Sequence, residues 1–181
     1  MSDNLNFPLI TDYLQHWAEH CPERTWLRDR IGDDFQEWSW QQAQQEINAA
    51  AFWLRQQSRG EPVKVGILSR NCAHWALADI ATIAAGCASI GLFTTQTAEI
   101  TRYILEFSEV KVLFVGAAGN WAEVHKRVPK DVQIVYLPGC TAPPANALTW
   151  AGIISENQGA QPDFTASESD LVSLVYTSGT T

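Results

Sequence analysis

The sequence predicts an α/β protein: a parallel, doubly wound βαβ sheet with helices on both faces, preceded by an N-terminal helix and a β-hairpin. Two observations carry this expectation. From Val63 onward, the continuous apolar runs "VKVGILS", "ASIGLF", "VKVLFVG" and "VQIVYL" alternate with the helical segments "CAHWALADIATIAAG", "TAEITRYILEFSE" and "WAEVHKRV". A strand that is apolar along its whole length suits a sheet covered on both faces, and the helices between strands supply the right-handed crossovers that parallel pairing requires.

The lead-in, residues 1–60, has a different character. "FPLITDYLQHWAEHCPERTW" opens an amphipathic helix with Tyr13, Leu14, Trp17, Ala18 and Cys21 on one face, and Pro22 ends it. "TWLRDR" and "DFQEWSW" alternate around "IGDD" and read as a hairpin. Ser39 followed by Gln42 is a capping box that starts a second helix running to about Gln57, with Ala43, Ile47, Ala50, Ala51 and Leu54 as its buried stripe. "SRGEP" breaks that helix, and residues 61–138 form the βαβ unit. Residues 139–169 are a Pro/Gly/Ala-rich connection with a short helix from Thr149, and residues 170–181 read as a last buried strand, "LVSLVY", opening into "TSGTT".

Composition narrows the function classes. A chain of 181 residues with 46% hydrophobic and 18% charged residues is globular and long enough to bury a core of its own. Twelve Lys+Arg against twenty Asp+Glu give a net charge of −8 with no basic stripe, which speaks against nucleic-acid binding. An anionic ligand must then be held by backbone N–H groups, a metal or a few local cations. Cys21, Cys72, Cys87 and Cys140 form no C-x-x-C pair, and "MSDNLNFPLI" has no signal-peptide character, so reduced thiols in a cytoplasmic protein are expected. The charge-free stretch from Ile80 to Ala98 changes period midway and reads as a helix running into a buried strand, not a transmembrane segment.

Several motifs carry little. His16 and His20 are spaced i, i+4, but Trp17 stands where a metalloprotease helix has Glu, and no further ligand is spaced to join them, so they read as solvated histidines. Ser69 and Ser89, at strand ends, have no identifiable base; His74 and His125 read as packing or surface residues; and "GAAGNW" lacks the full dinucleotide fingerprint.

"DLVSLVYTSGTT" is different, because it places a hydroxyl-rich loop at the carboxyl end of a strand, where open α/β sheets bind ligands. Gly179 frees the backbone to turn several N–H groups toward one anion, and Thr177, Ser178, Thr180 and Thr181 add hydroxyl donors. An acidic protein can hold a polyphosphate this way with help from magnesium.

That terminal stretch resembles the first half of the phosphate-loop signature of adenylate-forming enzymes, the acyl-CoA synthetase and luciferase-like superfamily. "VKVGILSRNCAHWALADIATIAAGCASIGLFTT" and "AEITRYILEFSEVKVLFV" resemble the family's preceding segments, so the likeness covers nearly the whole chain, and its general look is that of long-chain fatty acid–CoA ligases. One departure is Phe93-Thr94-Thr95, where many relatives carry Tyr-Pro-Thr.

The resemblance implies part of the larger N-terminal domain of an acyl-CoA synthetase, with ATP and Mg2+ as cofactors and a small-molecule carboxylic acid and coenzyme A as substrates. It carries Thr177, Ser178, Gly179, Thr180 and Thr181 over as phosphate-loop positions, with Thr177 also able to approach the magnesium. It identifies no catalytic residue here and implies a cytoplasmic protein, soluble or peripheral to a membrane. It also implies a chain cut within the loop, inactive alone and prone to dimerise through an uncovered face. An amino-acid adenylation domain and a non-catalytic interaction or regulatory module are the alternatives that the residues leave open.

Overall fold

The structure, a computed structural model, describes residues 9–31, 33–141 and 143–177. Helix α1 (Ile10–His20) leads into the antiparallel hairpin β1 (Thr25–Ile31) and β2 (Asp34–Ser39), then helix α2 (Trp40–Gln57). Leu14 and Ala18 of α1 are buried as expected, but Tyr13 is 50% exposed, because only a narrow stripe of this short helix meets α2. The capping box forms as the sequence predicts: Gln42 N donates to Ser39 Oγ at 3.2 Å, and Ser39 N donates to Gln42 Oε1 at 2.9 Å. Ala43, Ile47, Ala50, Ala51 and Leu54 are all fully buried.

Strand β3 (Lys64–Leu68), helix α3 (Ala73–Ala84), β4 (Ala88–Leu92), α4 (Ala98–Phe107), β5 (Val110–Val115), α5 (Trp121–His125) and β6 (Gln133–Tyr136) follow in alternation, and α6 (Trp150–Glu156) closes the regular part. The four strands of this unit are parallel in the order β4-β3-β5-β6. Two cores lie on opposite faces of the sheet. Val65, Ile67, Val112, Phe114 and Val135 face α1, α2, α3 and α6, whereas Leu68, Leu113 and Val115 face α4 and α5. Side chains of successive strand residues point to opposite faces, so both sets come from the same strands.

The charge-free stretch behaves as its change of period predicts. Helix α3 ends at Ala84, Gly86 turns the chain at φ 70°, and β4 begins at Ala88. Among the described residues no helix is long and apolar enough to cross a membrane. All four cysteines are free.

The last expected element needs correction. Residues 171–176 do not form a buried strand; they meet β4 at a single parallel bridge, Ser89 with Ser173. Leu171, Val172 and Val175 are 56%, 42% and 79% exposed. The segment lies outside the sheet's edge strand and, among the described residues, pairs with no strand on its far side, so three of its five apolar side chains are exposed.

Candidate functional site

The end segment keeps a strand's period of two without a strand's ladder. Leu174 and Tyr176 pack against the core on the α4/α5 face, and the Tyr176 hydroxyl pairs with Ser108 Oγ at the C-cap of α4. Ser89 N donates to Val172 O at 3.0 Å, and Leu174 N donates to Ser89 O at 2.9 Å. Because the bridge is parallel, the segment leaves at the carboxyl end of the sheet; continuing the register sets Thr177 level with Phe93, just beyond β4. Thr177 is exposed there, while Ser178, Gly179, Thr180 and Thr181 lie outside the described residues.

Beside the segment is a cleft of about 350 Å³ whose lining includes Ser69, Asn71, Trp75, Asp79, Phe93 and Tyr176. Arg70, exposed, is the one cation that lines it among the described residues. Burial raises the Asp79 pKa above its ordinary value, and the neighbouring Ser89 hydroxyl opposes the rise. Sequence reasoning did not single out Asp79 as a residue of this cleft. A lone carboxylate inside an otherwise apolar helix was the available signal for Asp79, but its facing serine is visible only once α3 packs on β4.

The other opening at this end of the sheet is closed. Between β3 and β5, Arg70 N donates to Ala117 O at 2.9 Å, and Gly116 N donates to Leu68 O at 3.0 Å. A side chain at Gly116 would begin 2.3 Å from Ser69 Oγ, so the "GAAGNW" glycine serves close packing of two strand exits. Nearby, Asn120 Nδ2 donates to Gln96 O at 2.8 Å and ties the β4–α4 loop to the start of α5.

A cavity of about 820 Å³ between β2, α2 and α6 has a structural explanation. Glu46 accepts from Trp38 Nε1 at 3.0 Å and from Trp150 Nε1 at 2.7 Å, one indole on each carboxylate oxygen. His74 stands edge-on to both indoles, and burial lowers its pKa against the pull of Glu46 and Asp29. The carboxylate is thus occupied in joining β2 and α6 to α2. His16 and His20 stack at 4.1 Å, with His20 Nδ1 at 2.8 Å from His16 O. Among the described residues, no group of three or more His, Cys, Asp or Glu could hold a metal ion.

Comparison with known proteins bears on the family and the fold. The profile of the family described as "AMP-binding enzyme" matches residues 14–181. The chain is 31% identical over 144 residues to the long-chain-fatty-acid–CoA ligase FadD15 of Mycobacterium bovis, covering 77% of this chain and 24% of that protein. It is 27% identical over 195 residues to the long-chain-fatty-acid–CoA ligase ACSBG2 of Xenopus laevis, covering 99% of this chain and 26% of that one. The crystal structure of the anthranilate CoA ligase AuaEII in complex with anthranoyl-AMP shares the fold, with a TM-score of 0.78 at 22% identity over 94% of this chain and 32% of its own. The chain therefore spans about a quarter of the length of the curated relatives it matches.

Proposed function

The chain belongs to the AMP-binding enzyme family, and on that premise we propose that it supplies the opening of the phosphate loop in an ATP-dependent acid–CoA ligase. The observation that carries this reading is the placement of Thr177, exposed at the carboxyl end of the sheet, at the exit of a parallel segment and beside an open cleft. In this reading Thr177, Ser178, Gly179, Thr180 and Thr181 hold the β- and γ-phosphates of ATP through backbone N–H groups and hydroxyls while an acid attacks the α-phosphorus. Pyrophosphate leaves as the acyl-adenylate forms, and the acyl group then passes to the coenzyme A thiol with release of AMP. The curated relatives, named as long-chain-fatty-acid–CoA ligases, favour a long-chain fatty acid as the substrate.

The residues fit the cofactors in kind. With a net charge of −8 and Arg70 the one cation lining the cleft among the described residues, hydroxyls and main-chain donors are what remain to receive a polyphosphate. Mg2+, when bound, offsets the phosphate charge, and the exposed Thr177 hydroxyl is the described group best placed to contribute to its site.

By this reading the 181 residues alone bind ATP weakly, at best in the millimolar range, and catalyse neither half-reaction. ATP titration followed by NMR checks the first point, with amide shifts expected to begin at Thr177 and to be lost in Thr177→Ala. Shifts confined to the cavity at Glu46 would overturn the loop assignment. Isotope exchange of pyrophosphate into ATP checks the second: any exchange that depends on the purified chain overturns the claim of inactivity.

A further inference from the structure

Two indole bonds account for the placement of Glu46 but not for the open space beside it. That space, about 820 Å³ between β2, α2 and α6, has the size of a small-molecule cleft, roughly 300–1,000 Å³. An ionised carboxylate offers about four acceptor sites, and Trp38 and Trp150 use one on each oxygen. About two sites are left over, on a half-buried side chain that lines the cavity.

Charge is the second observation. Among the described residues Glu46 forms no ion pair, and no lysine or arginine lines the cavity. Glu37, the other carboxylate of the lining, is already paired with Arg28 at 3.1 Å and accepts from Thr25 Oγ1 at 2.9 Å. His74 stands edge-on to both indoles, and burial disfavours its charged form. Trp38 and Trp150 are 3% and 2% exposed, so the carboxylate lies against walls that water does not enter. Neutral N–H dipoles are all that meet its charge there, and attraction for a cation is stronger beside such walls than in bulk water.

The rest of the lining selects the kind of cation. Ile154, Ala49 and the two indoles form an apolar wall, and the exposed Gln45 and Gln158 carry amide oxygens at the rim. A divalent metal ion needs several oxygen ligands and makes no use of an apolar wall. Among the described residues no group of three or more His, Cys, Asp or Glu could hold one. An alkylammonium ion matches both parts of the lining, with N–H donors for carboxylate and amide oxygens and a stem for the wall. We propose that this cavity is a binding site for an aliphatic ammonium ion, its head on the free acceptor sites of Glu46 and its stem along Ile154 and the indoles. The cavity shares no lining residue with the cleft beside Thr177, so the site stands or falls independently of the phosphate-loop reading.

The probe is pentylammonium chloride, protonated at about pH 7 as a lysine is, titrated into the 181-residue chain. In heteronuclear NMR the indole Nε1–H signals of Trp38 and Trp150 should move together along one saturating curve. n-Pentanol has a stem of the same length and no charge. It should bind roughly ten- to hundredfold more weakly, the factor that a charged hydrogen bond carries. Glu46→Gln keeps an acceptor oxygen without the charge and should lose amine affinity by the same factor. Equal affinity for amine and alcohol, or no saturation by about 0.1 M amine, overturns the proposal. So does a Glu46→Gln variant that binds the amine as the wild type does. Should that variant fail to fold, the comparison of amine with alcohol on the wild type decides alone.

The ammonium group has two sources, a free amine or a lysine of another chain, and Nα-acetyl-lysine N-methylamide separates them. Tighter binding than pentylammonium assigns the cavity to a peptide-borne lysine, and weaker binding assigns it to a free amine.

Discussion

The ring of Phe164 occupies the space where a side chain at Gly86 would begin: a Cβ there would stand 2.6 Å from the ring. The Arg55 guanidinium lies over the same ring at 5.4 Å, donates to Gly60 O at 2.7 Å and pairs with Asp163 at 3.1 Å. One glycine, one aromatic ring and one arginine thus fasten the connection after α6 to the ends of α2 and α3.

Gly86→Ala should therefore destabilise the fold by about 3 kcal/mol, from strain at a positive φ plus overpacking against the ring. Urea unfolding measures it. Phe164→Ala relieves the clash but not the strain at φ 70°, so the double variant should recover part of the Gly86→Ala loss without regaining wild-type stability. A Gly86→Ala loss below about 1 kcal/mol would show that the loop moves aside freely.

The two indoles on Glu46 set an order among its variants. Glu46→Ala leaves both the Trp38 and the Trp150 N–H without a carboxylate, at about 1–3 kcal/mol for each donor that water does not reach. Glu46→Gln keeps one acceptor oxygen and should cost less. Thermal unfolding of the pair should rank Ala below Gln below wild type; equal losses would mean that only charge matters at this site.

His74 should make stability depend on pH in a defined direction. Burial lowers its folded pKa from the ordinary 6.5, so the unfolded chain binds more protons in that window. Stability is then fully present above the unfolded value and falls as pH drops below it. His74→Phe, which keeps a ring against Trp38 and Trp150, should remove this part of the slope. Urea midpoints measured between about pH 5 and about pH 7.5 will show whether it does. Asp79 contributes with the opposite sign, since its raised pKa favours the fold below its own titration.

How much of this was legible depended on how local each signal was. The Ser39–Gln42 box and the stripe from Ala43 to Leu54 are set within one helix, and the structure reproduces both. The continuous apolar runs of β3 and β5 likewise announce strands covered on two faces. Glu46 and Trp150 stand 104 positions apart, and nothing in either neighbourhood marks their bond. Asp79 and Ser89 are close in sequence but belong to a helix and a strand, so their juxtaposition arises only when α3 folds back on β4. "LVSLVY" misleads for another reason: its composition reports what the segment would bury, and burial also needs a neighbour on each side. Of the five loop residues, only Thr177 can be compared with its expected place.

That uncovered side leads to the last prediction. Leu171, Val172 and Val175 project from a segment lying along β4, and its Ser89-facing groups are paired while, among the described residues, no strand pairs with its outer edge. An extended edge with exposed β-branched side chains is a template for pairing with another chain. The purified 181-residue protein should therefore self-associate in a concentration-dependent way, with its mass rising in light scattering. Val175→Lys places a charge at the most exposed of these positions, where it disturbs no buried contact, and should shift the protein toward monomer without lowering its unfolding midpoint. A wild-type chain that stays monomeric across the concentration range, or a Val175→Lys variant that associates as strongly, would show that this edge does not drive pairing.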